Sequence, residues 1–451
     1  MKSSDLNIEI NDIALTFRKW HRLPKELTEK LNASHFARAC FRDSDSKKHL
    51  TPGQAAILDI LDRLVGADPI GVRILRSRFI EGLSSLEVAH AVGLSRDQVN
   101  RRQRNALEEV RELFVELERR YSQDEARRLE RRLPPQPYVS LIGMELPLAK
   151  ALHKLRSCSY GACVLITGLG GIGKTALADA TARAMIGWLG SGEIYWMRVP
   201  ENLKRVSSLA DVRNQLALCL QEQGHPDLGA NPEDQPRTGG LIVVDDVETY
   251  AQFTIIEPIL KEWQVSYNLL VTSRHQPRAD FDWTVLHLDE LDWESSWQLV
   301  SNYAASIGVD THTVLTSQSG HQIYDVVGGN PLALRIATSL LRVFPLDHLL
   351  EIVTHSPSGS VEQLYRSIYM ASWESLGFDA RKLLNGMRLA AENGATISQI
   401  RAITAMEDEE ISAAIELLVQ HSLLEFRASG AERVYGLHRL TRAFLDSLDE
   451  I

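Results

Sequence analysis

The chain has 451 residues, of which 44% are hydrophobic and 24% are charged, a balance typical of ordinary globular proteins with about three domains. Its apolar runs are shorter than the ~18 residues of a membrane span, and the N-terminal segment lacks the apolar core of a secretory signal. The net charge of −10 argues against a protein that coats nucleic acid along its whole length, although a local basic patch is compatible with it.

The first third of the chain predicts helices. Residues 1–49 contain short helical patterns, and we assign them no chemistry. Residues 50–122 predict an all-helical domain. In it, Ser84 precedes a glutamate at capping-box spacing, Gly93 suits a helix end, and Ser95 can cap the next helix. This is a helix-turn-helix pattern, which resembles the C-terminal helix-turn-helix region of bacterial sigma factors.

The second helix of this pattern is basic. Between Ser95 and Ala106 it carries four arginines against one acidic residue, Asp97, which suits contact with DNA phosphates. The alternative is a small helical bundle that binds protein, with its arginines simply solvated. Both interpretations stay open, and residues 84–107 are the candidate DNA surface. The candidate nucleic-acid residues are Arg96, Arg101, Arg102 and Arg104.

Residues 123–138 are charged and proline-rich, and we predict a linker there because the prolines interrupt any continuous helix. A nucleotide domain is expected over 139–290. It contains an apolar run that stops at the sequence GLGGIGKT, the Gly-x-x-x-x-Gly-Lys-Thr phosphate loop. The predicted nucleotide-binding residues of this loop are Gly168, Gly170, Gly171, Ile172, Gly173, Lys174, Thr175 and Ala176.

Each part of this loop has a physical role. Glycines let successive N–H groups point at phosphate oxygens, and the following helix adds its positive N-terminal end. Lys174 would reach the β- and γ-phosphates, and the hydroxyl of Thr175 would ligate Mg²⁺. The same glycines also satisfy the Gly-x-Gly-x-x-Gly fingerprint of dinucleotide folds. Those folds need neither the Lys-Thr pair nor a downstream pair of carboxylates, so a nucleoside triphosphate is favoured.

The carboxylate pair follows in residues 241–247, with the sequence LIVVDDV. Four apolar residues that end in acids predict a buried parallel strand whose carboxyl end faces the site. Asp245 is expected to hold Mg²⁺ and Asp246 to orient the attacking water. The alternative for Asp246 is a structural carboxylate. A further strand ends before Arg274, which can sense the γ-phosphate or be an ordinary surface arginine.

Five motifs in fixed order resemble the NB-ARC class of STAND NTPases. Besides the phosphate loop, the acidic strand and the Thr-Ser-Arg segment, they are GGNPLAL at 328–334 and YGLHRL at 435–440. The resemblance implies ATP or ADP with Mg²⁺ as ligands. It also places Ile142 near the adenine, Pro331 packed on the adenine, and His438 at the ADP β-phosphate.

This sequence departs from the family pattern at two positions. Met144 stands where the family has an arginine near the adenine, and Arg439 stands where an aspartate usually follows the histidine. The resemblance implies a helical lid domain at 291–365 and a winged helix at 366–451. The expected fold is thus multidomain, with an N-terminal all-α helix-turn-helix bundle and an α/β P-loop NTPase domain with a parallel sheet, followed by these two domains.

The resemblance implies a cytoplasmic switch rather than a metabolic enzyme. Such a protein alternates between an ADP-bound closed state and an ATP-Mg state that self-associates, with slow ATP hydrolysis as the reset. No repeat domain follows the expected winged helix, so we expect sensing by a separate sensor or effector protein or by residues 1–130, and no membrane. The expected output is DNA-bound transcription regulation, and the alternative is an apoptosome-like or defence scaffold that recruits a protein effector. Free cysteines fit this compartment, and they are Cys40, Cys158, Cys163 and Cys219.

Overall fold

The computed structural model describes most of the chain in two compact units. One unit consists of residues 1–133, 182–195 and 236–241, and the other of residues 134–181, 196–235 and 242–451. Among the described residues, no helix combines the length and the apolar character needed to cross a membrane. The residues described are 8–42, 50–136, 138–158, 160–189, 192–199, 240–247, 250–274, 282–309, 315–342, 344–354, 369–370, 373–374, 376–390, 394–420, 423–429, 432–437 and 439–448.

The first unit is built mainly from helices, as predicted for residues 50–122. Three further helices precede that segment. A π-helical turn lies between α5 and α6. The helices are α1 (Ile10–Arg18), α2 (Lys25–Asn32), α3 (His35–Arg42), α4 (Pro52–Leu64), α5 (Pro69–Leu75), α6 (Ser85–Val92) and α7 (Arg96–Glu130), and the π-helical turn is Arg76–Ile80.

The core of this unit joins the early helices to α7. Phe36 of α3 packs edge-on against Phe114 of α7, with ring centroids 5.7 Å apart. Glu118 is buried, and it accepts hydrogen bonds from the hydroxyl of Ser34 at 2.5 Å and from the backbone N–H of Phe36 at 3.0 Å. A carboxylate at a helix N-terminus satisfies orphan N–H groups, so Glu118 fixes the start of α3 on α7.

The predicted caps of α6 and α7 are confirmed. Ser84 and Ser95 each accept a backbone N–H in a capping box, and Gly93 ends α6 with φ +68°. Beneath this turn, Ile74, Val88, Ala89 and Val99 form a small buried cluster. Helix, turn and helix thus occur where the sequence predicts them. The identification of the motif as a DNA-binding one stays a prediction.

Helix α7 continues through half of the predicted linker. Residues 123–133 contain neither glycine nor proline, so nothing stops the helix before Glu130. Its end is held within the same unit by Glu193, which accepts hydrogen bonds from Arg128 at 2.8 Å and from Arg132 at 2.7 Å. The prolines of the predicted linker come after the end of α7 in the sequence, within residues 134–137.

A five-stranded sheet forms the nucleotide domain, with the order β2-β3-β4-β1-β5. Strand β1 is buried along its length and pairs in parallel with β4 and β5. This order sets β3 beside β4, and β4 beside β1. The strands and flanking helices are α8 (Glu145–Ser157), β1 (Cys163–Gly168), α9 (Lys174–Ile186), β2 (Ile194–Arg198), β3 (Gly240–Val247), α10 (Tyr250–Trp263), β4 (Tyr267–Ser273) and β5 (Thr284–Leu288).

From residue 293 onward, the elements in the described residues are helices and one hairpin. Its apolar side chains form a continuous core that extends from Val300 to Leu445. The elements are α11 (Trp293–Ser306), α12 (Ser317–Val327), α13 (Pro331–Leu340), α14 (Leu346–Thr354), α15 (Phe378–Gly386), the 3₁₀ turn Met387–Leu389, α16 (Ile397–Thr404), α17 (Asp408–Gln420), β6 (Glu425–Ser429), β7 (Glu432–Gly436) and α18 (Arg439–Leu448).

The segment expected to form a winged helix contains two helices and a hairpin. The helices are α16 and α17, and the strands of the hairpin pair from Glu425 with Gly436 to Ser429 with Glu432. The winged-helix assignment itself stays a prediction.

Candidate functional site

The phosphate loop connects β1 to α9 in a conformation that requires glycine at two close approaches. Gly168 has φ +150°, and a Cβ there would lie 2.8 Å from the carbonyl oxygen of Leu288. Gly173 has φ +102°, and a Cβ there would lie 2.4 Å from the terminal methyl of Met144. Since L-residues rarely adopt such conformations, the backbone curl predicted from the glycines is present. Ile172 is buried under the loop.

Lys174 is the first residue of α9 and its ammonium folds back over the loop. Its Nζ atom donates to the carbonyl oxygens of Gly168 at 3.0 Å and Leu169 at 2.8 Å. An ammonium group is a compact charge that can redirect its donors to phosphate oxygens. The lysine is therefore placed at the loop, as its predicted role requires.

The two predicted Mg²⁺ ligands lie in direct contact. Thr175 donates its hydroxyl proton to the carboxylate of Asp245, at 3.0 Å from one oxygen and 3.2 Å from the other. Asp245 is completely buried at the end of β3. Hydroxyl and carboxylate oxygens are the ligands that Mg²⁺ prefers, usually together with water and phosphate.

Asp245 has an unusual electrostatic environment. Burial raises the pKa of its carboxyl group, and the neighbouring charge of Asp246 raises it further. The guanidinium of Arg198 and the hydroxyls of Thr272 and Thr175 act in the opposite direction. A buried acid beside a second acid is a site that gains from a bound cation, because the cation stabilises the charged form.

Thr272 of β4 organises the two acids. Its hydroxyl donates to Asp245 Oδ1 at 2.7 Å and accepts the backbone N–H of Asp246 at 2.9 Å. Asp246 has φ +75°, which is uncommon for a residue other than glycine. Sequence alone predicts no role for Thr272, because its contact with the acids depends on β4 lying beside β3.

Arg198, at the end of β2, is a second residue for which sequence alone predicts no role. Its guanidinium lies 3.7 Å from Asp245 Oδ2 and 3.6 Å from Asp246 Oδ2. The backbone N–H of Val199 donates to the carbonyl oxygen of Asp245 at 2.9 Å, which fixes the end of β2 beside the acids. Finding it required the strand order, which the sequence does not display.

Arg274 lies at the tip of the phosphate loop. It directly follows β4, and its backbone N–H donates to the carbonyl oxygen of Val247 at 3.2 Å. A Cβ on Gly170 would lie 3.0 Å from one of its guanidinium nitrogens. This position is compatible with the predicted γ-phosphate sensor, and that role stays a prediction.

The segment that begins α13 is bonded to the phosphate loop. Asn330 donates from its side-chain amide to the carbonyl oxygen of Gly170 at 3.0 Å, and the N–H of Leu332 donates to that of Gly171 at 3.3 Å. Asn330 also caps α13 by accepting the N–H of Leu332. Pro331, predicted to pack on the adenine, is therefore held next to the loop.

The remaining predicted residues divide into three groups. Ile142 is buried near the start of the nucleotide domain, and its predicted adenine contact stays a prediction. His438 lies outside the described residues. Arg96, Arg101 and Arg104 are exposed on α7, whereas Arg102 pairs with Asp68 at 3.4 Å.

The donor set fits a phosphorylated nucleotide with Mg²⁺. It comprises a glycine cradle that side chains would block, a lysine over that cradle, and a hydroxyl in contact with a buried carboxylate. Within the described ranges, no cluster of three or more histidine, cysteine or acidic residues forms a separate metal site. A bound Mg²⁺ would rely on few protein ligands, as is usual when phosphates and water complete the shell.

Part of the chain matches a known protein family. Residues 144–309 match the family model of the NB-ARC domain. None of the curated proteins compared with the chain matches it.

Three solved structures resemble the chain over about 70% of its length. A Signal Transduction ATPase with Numerous Domains from Pyrococcus horikoshii, with a tetratricopeptide repeat sensor, is 19% identical over 71% of this chain and 44% of its own, with a TM-score of 0.45. This chain therefore spans less than half of that protein. A Walker-type ATPase of Pyrococcus abyssi is 11% identical over 70% of this chain and 99% of its own, with a TM-score of 0.35. The RuvB Holliday junction branch migration motor of Thermotoga maritima is 17% identical over 70% and 98%, with a TM-score of 0.31.

Proposed function

We propose that this chain, whose residues 144–309 match the NB-ARC family model, is a nucleotide-dependent molecular switch of the STAND type. In the proposed cycle, an ADP-bound closed state exchanges its nucleotide for ATP-Mg and then self-associates. Slow hydrolysis returns the protein to the ADP state. Such a switch works because its two states differ in affinity for the two nucleotides.

The observation that carries this proposal is the attachment of α13 to the phosphate loop. The carbonyl oxygens of Gly170 and Gly171 accept hydrogen bonds from Asn330 and Leu332. A change in the loop when phosphates bind would therefore reach the start of α13 directly. Lys174, Thr175 and Asp245 supply the phosphate and Mg²⁺ chemistry, and Asp246 is the candidate to orient water. When bound, Mg²⁺ would neutralise phosphate charge.

The nucleotide state is tested by extracting and identifying the nucleotide that copurifies with the protein, with Lys174→Ala as the control. The switch predicts ADP in the wild-type protein and none in the variant. Slow basal ATP hydrolysis should accompany it. An empty wild-type site together with rapid ATP turnover would favour an ordinary ATPase over a switch.

We further propose that the output is DNA binding through residues 84–107, with transcription regulation as its purpose. Val99, Ala106 and Val110 mark the buried side of α7. At about 100° per residue, Arg101 and Arg104 lie on the opposite, exposed side. Two cations on an accessible helix face suit DNA phosphates. The alternative, a protein effector recruited by the same domain, has no observation that favours it.

A pair of double variants tests the DNA proposal. Arg101→Ala/Arg104→Ala removes two charges from the candidate surface. Arg119→Ala/Arg120→Ala removes two exposed charges further along the same helix. Binding to a labelled DNA duplex is measured against salt concentration. We expect the first pair to weaken binding and to reduce the salt slope by about two, and the second pair to change neither. Equal effects of both pairs would contradict DNA contact at this surface.

A further inference from the structure

Arg198 is placed between the two acids of the candidate site. It is the last residue of β2. The N–H of the next residue, Val199, donates to the carbonyl oxygen of Asp245, which fixes the register of Arg198 beside β3. Its side chain is 33% exposed and lies 3.6–3.7 Å from both carboxylates. One guanidinium thus faces two neighbouring negative groups.

The burial of Asp245 makes that positive charge important. A carboxylate without water is stable only when it is hydrogen-bonded and balanced by an opposite charge. Thr175 and Thr272 supply hydrogen bonds to Asp245, but hydroxyls carry no net charge. Among the described residues, Arg198 supplies the guanidinium that lies within ion-pair distance of Asp245.

We propose that Arg198 is a positioning residue that acts as the resident counter-cation of Asp245 and Asp246 and releases Asp245 to Mg²⁺ when the nucleotide complex forms. This inference rests on the proposed nucleotide function. The physical reason is competition, because two cations at one carboxylate repel each other. Arg198 therefore stabilises the acids before the metal arrives, and it weakens the metal's hold on Asp245.

This competition predicts opposite effects of one substitution. Arg198→Gln removes the charge and keeps a polar side chain of moderate length. The nucleotide-free protein should become less stable, because the acids lose their counter-charge. The gain in ADP affinity on adding Mg²⁺ should become larger, because the competing cation is gone. A merely structural role would lower both quantities.

The experiment measures ADP dissociation constants on the full chain in EDTA and in excess Mg²⁺. The ratio of the two constants is the metal-dependent gain. We expect Arg198→Gln to raise this ratio by roughly 5-fold or more while the melting temperature without nucleotide falls. Arg198→Lys retains the charge and should restore most of both properties. The control is Arg342→Gln, which makes the same charge change at an exposed arginine just after the end of α13. It should change neither the ratio nor the melting temperature.

Each result decides one question. A ratio that is unchanged or lower in Arg198→Gln, with ADP binding in EDTA intact, overturns the proposal for Arg198 and leaves the switch proposal standing. Failure of the wild-type protein to bind ADP with or without Mg²⁺ sinks the proposed function instead. If Arg198→Gln does not fold, the double variant Arg198→Gln/Asp245→Asn decides. The proposal requires the double variant to fold, because the charge that needed balancing is gone, and an unfolded double variant overturns it.

Discussion

The side-chain amide of Asn330 donates a hydrogen bond to the carbonyl oxygen of Gly170 at 3.0 Å, across 160 residues of sequence. The other end of the same amide accepts the N–H of Leu332 at the start of α13. One buried asparagine therefore both caps a helix and attaches that helix to the phosphate loop.

Two substitutions at Asn330 separate these functions. Asn330→Asp keeps the cap, because aspartate accepts the same N–H, but it loses the donor to Gly170 and adds a negative charge near the phosphates. We expect ADP affinity to fall by about tenfold or more, as one lost bond and one repulsion imply. Asn330→Ala should in addition cost about 1 kcal/mol of stability through the lost cap. Calorimetric ADP titration and denaturant unfolding measure these effects. An ADP affinity of Asn330→Asp equal to that of the wild-type protein would contradict the attachment of α13 to the phosphate loop through Asn330.

Thr272→Val tests the residue that organises the acids. Valine keeps the shape of the side chain, so the loss is confined to the hydroxyl that serves Asp245 and the N–H of Asp246. We expect the free energy of unfolding to fall by about 2 kcal/mol. ATP turnover at saturating ATP and Mg²⁺ should fall as well. Thr272→Ser should recover both.

The matched control for Thr272 is another buried threonine. The hydroxyl of Thr181 donates only to the carbonyl oxygen of Leu177, within α9, among the contacts described. Thr181→Val should therefore leave turnover near the wild-type value. Turnover in Thr272→Val equal to that of the wild-type protein would contradict a role for the hydroxyl.

Asp245 predicts a pH dependence of stability with a definite sign. Its pKa is raised in the folded protein by burial and by Asp246, so the folded state binds this proton more tightly than the unfolded state does. The stability that protonated Asp245 contributes to the folded state is present below the ordinary carboxyl pKa of about 4. It is lost as pH rises towards the raised value. Asp245→Asn stays neutral, so its advantage in melting temperature over the nucleotide-free wild type should grow with pH in that window.

Thermal unfolding from mildly acidic to neutral pH, without Mg²⁺, measures this difference. Asp325→Asn, at an exposed position of α12, is the control and should show no such trend. Asp245→Asn should also abolish the Mg²⁺-dependent part of nucleotide binding. A melting-temperature advantage that shrinks as pH rises would refute the sign.

The cysteines should differ in reactivity. Burial raises the pKa of the Cys163 thiol to about 12, whereas Cys158 is exposed. Because the thiolate is the reactive form, an alkylating reagent at neutral pH should modify Cys158 and spare Cys163 in the folded protein. Peptide mapping by mass spectrometry measures this, and unfolding in denaturant should make both thiols react. Equal modification of both in the native protein would contradict the burial of β1.

The residues that sequence reasoning located are those whose signal is local. A glycine loop followed by Lys174 and Thr175 specifies its own geometry, and Ser84 and Ser95 fix their helix starts through neighbours three residues away. Thr272 and Arg198 act through strands that are distant in sequence. Their contribution depends on β2, β3 and β4 lying side by side, which periodicity does not reveal.

The end of α7 lies within the predicted linker. Residues 123–133 continue the helix because arginine and glutamate are good helix formers. The anchoring of that extra length depends on Glu193, which lies more than 60 residues away from Arg132. A local sequence pattern cannot reveal such a distant partner, so composition alone predicts a helix end that is too early.

Helix α7 contains 35 residues, which gives it a length of about 52 Å at 1.5 Å per residue. Arg101 and Arg104 lie in its N-terminal third, and its last turn is held by Glu193 through Arg128. Arg101 precedes Arg128 by about 40 Å along the helix axis at 1.5 Å per residue. If the last turn served as the pivot, a tilt of 10° would carry Arg101 about 7 Å sideways.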